Sequence, residues 1–344
     1  MPKTLMRAVA LAAGAIITVT VAAAPATAQI TTVADGQYLG SVARTPDGRS
    51  ASTAAAQEVL RFWTPQRMRD ATPARLPASP KAASSSTLST AGSRGGTPMR
   101  TEPGLPSVAA ITEAARAVGA PISTDAAVAA VTRTAGKVFF IDPIDGKEHF
   151  CSGATVNSVK RRLVVTAGHC VHNGLWMQGW IFAPQYTNGA PFGTWIAGNL
   201  AARTDWIFTG LPAADVGVAI MANNISGQRI VDVVGGNGLA WNQPLGQRVD
   251  VFGYPGAINF QRSCAGPTYT GVEVGHIGTG PCPDWGPGGS GAPMLLAYGS
   301  LGAGLGYVNS VATNIYSPRP NEVFGPYFDN LNAGLLFYAE SISP

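Results

Sequence analysis

From about residue 134 onward, short apolar runs alternate with Gly, Pro and Asn turns. The runs are "GKVFFID" (136–142), "RRLVVTA" (161–167), "WMQGWIFAPQY" (176–186), "VGVAIMA" (216–222), "RVDVFGYP" (248–255) and "GLGYVNSV" (304–311). They are too short for helices and carry many β-branched and aromatic residues, so each predicts a strand. Strands punctuated in this way predict a sandwich or barrel. Only "YFDNLNAGLLFYAES" (327–341) has a helical pattern. The 211 residues from 134 to 344 suffice to bury a full core in one or two barrels.

The first third follows a different pattern. Residues 1–28 open with Lys3 and Arg7, continue through the 17-residue apolar run "AVALAAGAIITVTVAAA" and end in "ATA" (26–28). That arrangement predicts a secretory signal rather than a membrane anchor. Residues 29–133 are rich in Ala, Ser, Thr, Pro and Arg, and "TPARLPASPKAASSSTLSTAGSRGGTP" (72–98) has almost no large apolar residues. This region is expected to be a largely disordered pro-segment or linker, with helix candidates at 51–63 and 107–119. Of the two, a pro-segment is favoured.

Composition sharpens this picture. Only 12% of residues are charged, whereas Gly (42) and Pro (26) are abundant, as suits a turn-rich exported protein. The net charge of +4 is unevenly placed: residues 1–133 carry 13 Lys/Arg against 7 Asp/Glu, and residues 134–344 carry 10 against 12. The folded part thus has no basic cluster, and a nucleic-acid partner is not expected. No stretch beyond the signal is long and apolar enough to span a bilayer, so no membrane association is expected after signal removal. Export to an oxidising compartment implies that Cys151, Cys170, Cys264 and Cys282 are paired. They lack metal-ligand spacing, and neither metal nor cofactor is expected.

Three stretches carry chemistry. "RLVVTAGHCVH" (162–172) ends a buried strand at His169; "AADVGVAI" places Asp215 at the head of another; "GPGGSGAP" sets Ser290 in a glycine-rich turn. A buried acid is costly unless it is paired, and glycines let a backbone take unusual conformations. Asp205 rivals Asp215 as the acid, and His149 and His172 rival His169 but lack the "TAGHC" frame. His276 is expected on the surface or in a loop, with a role in the substrate pocket as the alternative.

The set resembles the trypsin-like (chymotrypsin-fold) serine proteases, and within them the secreted actinobacterial peptidases and glutamyl endopeptidases. "TAGHC", the Asp-Val-Gly at Asp215 and the Gly-x-Ser-Gly at Ser290 match in type and in order. The resemblance implies an all-β fold of two antiparallel six-stranded barrels with a C-terminal helix, spanning 134–344 after a poorly ordered N-terminal region. It further implies a His169–Asp215–Ser290 triad, an oxyanion hole from the N–H groups of Gly288 and Ser290, and disulfides Cys151–Cys170 and Cys264–Cys282. Val308, Asn309 and Ser310 are implied to line the substrate pocket. The implied activity is secreted endopeptidase cleavage of proteins or peptides by a monomer. An inactive binding protein on the same fold, or an esterase, are the alternatives.

One position departs from the family. Gly289 stands where most trypsin-like enzymes carry aspartate, so no new N-terminal ammonium can pair with a carboxylate there. The turn is instead expected to be shaped by glycine geometry and by the Cys264–Cys282 crosslink, and any control by the N-terminal region to be steric occlusion.

Overall fold

The computed structural model describes residues 30–32, 36–50, 53–74, 96–107, 131–300, 304–313, 319 and 321–342. The signal-like segment 1–28, most of 72–98 and nearly all of the helix candidate 107–119 lie outside them.

The continuous apolar runs close into a barrel. Ala135–Asp142 pairs antiparallel with Lys147–Val156, which pairs in turn with Leu163–Thr166. Leu163–Thr166 pairs with Gly217–Met221, and that strand with Trp195–Arg203. Gln178–Pro184 joins Trp195–Arg203 back to Ala135–Asp142, closing six strands. The Gly217–Met221 strand is fully enclosed.

The C-terminal half forms a second sheet region. Arg248–Gly253 pairs with Arg262–Pro267 and with Pro293–Leu296, and Pro293–Leu296 with Tyr307–Val311. The next pairing, Tyr307–Val311 with Gly238–Trp241, is parallel. His276–Thr279 lies between Tyr269–Thr270 and Val323–Pro326 in a three-stranded sheet. The Thr313 N–H donates to the Phe324 carbonyl at 2.8 Å and links the two sheets. The helix Asn330–Ser341, capped by the Asp329 carboxylate on the Asn332 N–H, covers the outside of the first barrel with Leu335, Leu336, Tyr338 and Ala339.

Several segments of residues 29–133 are built into this framework. Tyr38–Val42 pairs antiparallel with residues 199–203 of the Trp195–Arg203 strand. Thr72–Pro73 pairs parallel with His149 and Phe150, and Met99–Arg100 antiparallel with Ala240 and Trp241. The expected helix near 51–63 is present as Thr53–Phe62. A second helix, Pro65–Asp70, follows it, with the Thr64 hydroxyl accepting from the Arg67 N–H. Val59, Trp63, Met68 and Ala71 share one apolar cluster with Phe139, Ile141, Phe150, Ile181, Tyr186 and Tyr254. The low-hydropathy composition of the region conceals these few large anchors.

Trp63 is the strongest anchor: its ring is buried and its indole N–H donates to the Gly179 carbonyl at 2.6 Å. Trp63→Ala is expected to lower the unfolding free energy of the chain by about 3–5 kcal/mol in urea titration. A loss below about 1 kcal/mol would show that the N-terminal helices lie outside the cooperative unit.

Candidate active site

His169 sits in the 3-10 turn Gly168–Cys170 that ends the Leu163–Thr166 strand. The turn is fixed on its far side by the Cys151–Cys170 disulfide, with 6.3 Å between Cα atoms, and by the Trp180 indole N–H on the Cys170 carbonyl at 2.9 Å. Asp215 follows the short turn Pro212–Ala214 and precedes the Gly217–Met221 strand. Its carboxylate accepts the His169 backbone N–H at 2.8 Å and faces the ring Nδ1 at 2.9 Å through Oδ2. Both side chains are fully enclosed. The carboxylate therefore holds the proton on Nδ1 and leaves Nε2 as the basic nitrogen. Nε2 is buried and has no hydrogen-bond partner among the described residues. Gly168 makes the approach possible, since a Cβ there would lie 2.9 Å from both Asp215 Oδ1 and the Trp206 ring.

Ser290 lies in the turn 286–291. Gly288 (φ +90°) and Gly291 (φ +83°) occupy the left-handed region open to glycine. The hydrogen bonds of this turn alternate. The Gly289 N–H donates to Gly286, Gly291 to Ala312 and Ala292 to Gly289. The N–H groups of Gly288 and Ser290 have no acceptor among the described residues. Two backbone donors, one residue apart, are thus left open beside the serine.

Ser152 staples this turn to the first barrel. Its N–H donates to the Ser290 carbonyl at 2.7 Å, its hydroxyl donates to the Gly288 carbonyl at 2.9 Å, and the Tyr254 N–H donates to that hydroxyl at 2.9 Å. The Thr166 hydroxyl, three residues before His169, donates to the Ser152 carbonyl at 2.7 Å. Gly291 is pressed against Ser152 O, Thr166 Oγ1 and Ala167 N, with no room for a Cβ. The serine turn and the histidine loop are therefore packed together across the two halves. Sequence reading missed Ser152 and Thr166, which look like ordinary small polar residues in strands.

No family model matches the chain, and no curated protein matches it. Solved structures do. Protease Anisep from Arthrobacter nicotinovorans is 31% identical, with a TM-score of 0.56, covering 62% of this chain and 98% of its own. The thermostable serine protease AL20 from an extremophilic microorganism is 31% identical, with a TM-score of 0.55, covering 62% of this chain and 99% of its own. The chain belongs to the trypsin-like serine proteases. The shared part leaves more than a third of this family member outside it.

The remaining candidates in this trypsin-like chain are engaged elsewhere. Asp205 pairs with Arg203 at 2.6 Å in the first turn of the helix Thr204–Thr209. His149 meets the Asp145 carboxylate at 3.0 Å and the Thr72 hydroxyl at 3.1 Å. His276, expected at the surface or in a loop, is instead buried in a strand: Nε2 lies 3.1 Å from the Pro212 carbonyl and Nδ1 3.3 Å from Glu273. The expected pocket residues lie in the strand Tyr307–Val311, which runs directly into Ala312 beside the serine turn. Val308 is enclosed opposite Leu239 and Leu295, Asn309 bulges between paired neighbours, and the Ser310 hydroxyl donates to the Pro326 carbonyl at 2.8 Å. Just beyond them Ala312 exchanges hydrogen bonds with Gly291 and Ala292, and Thr313 Oγ1 is buried without a partner among the described residues. Cys151, His169 and Cys170 cluster closely, but the sulfurs are bonded to each other and offer no thiolate to a metal.

His172 is buried edge-on to Trp176 at 5.0 Å, and burial pulls its pKa down to about 4. The unfolded ring takes up its proton near pH 6.5. This group's contribution to stability is therefore complete above pH 6.5 and is lost as the pH falls through about 4. His172→Phe is expected to flatten the fall in melting temperature across that window, measured by calorimetry. Parallel curves for the two proteins would count against a neutral buried His172.

Proposed function

We propose that the chain is an exported serine endopeptidase that cleaves protein or peptide bonds through an acyl-enzyme on Ser290. The observation that carries this is the enclosed Asp215–His169 pair with its free Nε2, packed against a serine turn with two open N–H donors. In this reading Ser290 Oγ attacks the substrate carbonyl while His169 Nε2 takes the hydroxyl proton. The tetrahedral oxyanion accepts from the N–H groups of Gly288 and Ser290, which cost no reorganisation because they are already unpaired. Protonated His169, stabilised by Asp215, gives its proton to the leaving amine. Water then repeats the cycle on the acyl-enzyme and frees Ser290.

Residues 1–28 act as the export signal and 29–133 as a pro-segment, with 134–344 as the catalytic domain. Two disulfides fit an oxidising compartment. The N-terminal segments that pack on the barrel support a role in folding as well as in restraint, since their removal uncovers Phe139, Ile141 and Ile181.

Ser290→Ala is expected to abolish casein hydrolysis and labelling by a fluorophosphonate while leaving the melting temperature within a few degrees of wild type. Asp215→Asn is expected to lower kcat about 10,000-fold and to slow labelling of Ser290 with it, as the ring loses its tautomer. A correctly folded wild type that neither labels nor cleaves would refute the proposal.

A further inference from the structure

Gly289 carries no carboxylate, so something else must hold the turn with the Gly288 and Ser290 donors aimed outward. Two neighbours press on Gly288. The Phe150 ring and the Tyr254 carbonyl oxygen occupy the space where a Cβ would go. A third contact holds the residue before it: the Gly256 N–H donates to the Pro287 carbonyl at 2.7 Å. The turn therefore rests on one aromatic ring and on the segment 254–259.

Both supports meet at Lys137. Its Nζ lies 3.7 Å from the centroid of the Phe150 ring, with Phe139, Tyr186 and Tyr254 next nearest at 5.5, 5.4 and 6.0 Å. The same Nζ donates to the Ile258 carbonyl at 3.1 Å and to Asn259 Oδ1 at 2.8 Å. Lys137 is 1% exposed and has no carboxylate partner among the described residues. Burial pulls its pKa down to about 7, so keeping an ammonium there is costly. A lysine placed so unfavourably, between the ring and the loop that brace one turn, has a role beyond filling space.

We propose that Lys137 is a positioning residue of the oxyanion turn, clamping the Phe150 ring and the 254–259 segment against Gly288 and Pro287. The proposal rests on the reading of Ser290 as nucleophile and of Gly288 and Ser290 as oxyanion donors. Lys137 touches no reacting atom. It acts through Phe150, by attraction of its charge to the ring face, and through Asn259, by a charge-assisted hydrogen bond. In this protein the cation sits behind the turn and its partner is an aromatic ring, so no carboxylate is needed at position 289.

The test compares wild type, Lys137→Met and Asn259→Ala in the full chain. Active sites are counted by fluorophosphonate labelling, and kcat and KM are measured on a chromogenic peptide. Met keeps the length and apolar packing of the side chain while removing the charge and the donors. For Lys137→Met, kcat per labelled site is expected to fall about 10- to 100-fold with KM changed less than about threefold, the split expected when oxyanion donors are misaimed. Asn259→Ala, at a half-buried loop position, is expected to show the same split with a loss of about 3- to 10-fold. It decides the question if Lys137→Met does not fold. A kcat per labelled site within about twofold of wild type, whatever happens to KM or melting temperature, would overturn the positioning role. Wild type that fails to label at Ser290 would instead overturn the underlying assignment, and this proposal with it.

Discussion

The enclosure of the Asp215 carboxylate is the constraint on which the site depends. A charge with no exposure must be met by donors, and two are supplied by one residue, the backbone N–H and the ring of His169. That demand fixes the histidine loop against the Gly217–Met221 strand, excludes a side chain at Gly168 and leaves the opposite ring nitrogen pointing away from the acid. The Cys151–Cys170 bond and the Trp180 contact hold the loop from the other side. The ring orientation is therefore set by Asp215 on one side and by the first barrel's disulfide and Trp180 on the other.

The serine turn is set by a different means. Its geometry is carried by glycines in left-handed conformations, and its position by Ser152, a residue of the first barrel that bonds to both Gly288 and Ser290. The two halves of the site thus meet through one short strand segment that also carries Cys151. Its neighbours face opposite ways: Cys151 toward the histidine loop, Ser152 toward the serine turn. The period of two along a strand is what lets adjacent residues serve both.

Much of this was legible in the sequence, for identifiable reasons. His169, Asp215 and Ser290 stand out because each sits where a buried strand ends in small residues, and because their order restricts the fold. The first barrel was legible because its strands are nearly continuous apolar runs. The bulge at Asn309, where the strand register shifts by one residue, was not legible, because no local signal marks it. Ser152, Thr166 and Lys137 escaped because a serine, threonine or lysine in a strand carries no pattern; their importance lies in partners 14 to 136 residues away. The docking of Tyr38–Val42 and Met99–Arg100 is likewise long-range pairing within a region whose composition argues for disorder.

The pairing of Tyr38–Val42 bears on the protein's colloidal behaviour. The strand Trp195–Arg203 splays as it leaves Gln178–Pro184, and over residues 199–203 its outer hydrogen-bonding groups are taken up by the N-terminal strand. Were that strand withdrawn, the barrel would present a bare row of amide and carbonyl groups, beside the apolar side chains of Leu200 and Ala202. Such an edge is a template for pairing with another molecule. While it is paired, the N-terminal strand covers that edge, and any maturation that removed it would leave the edge open.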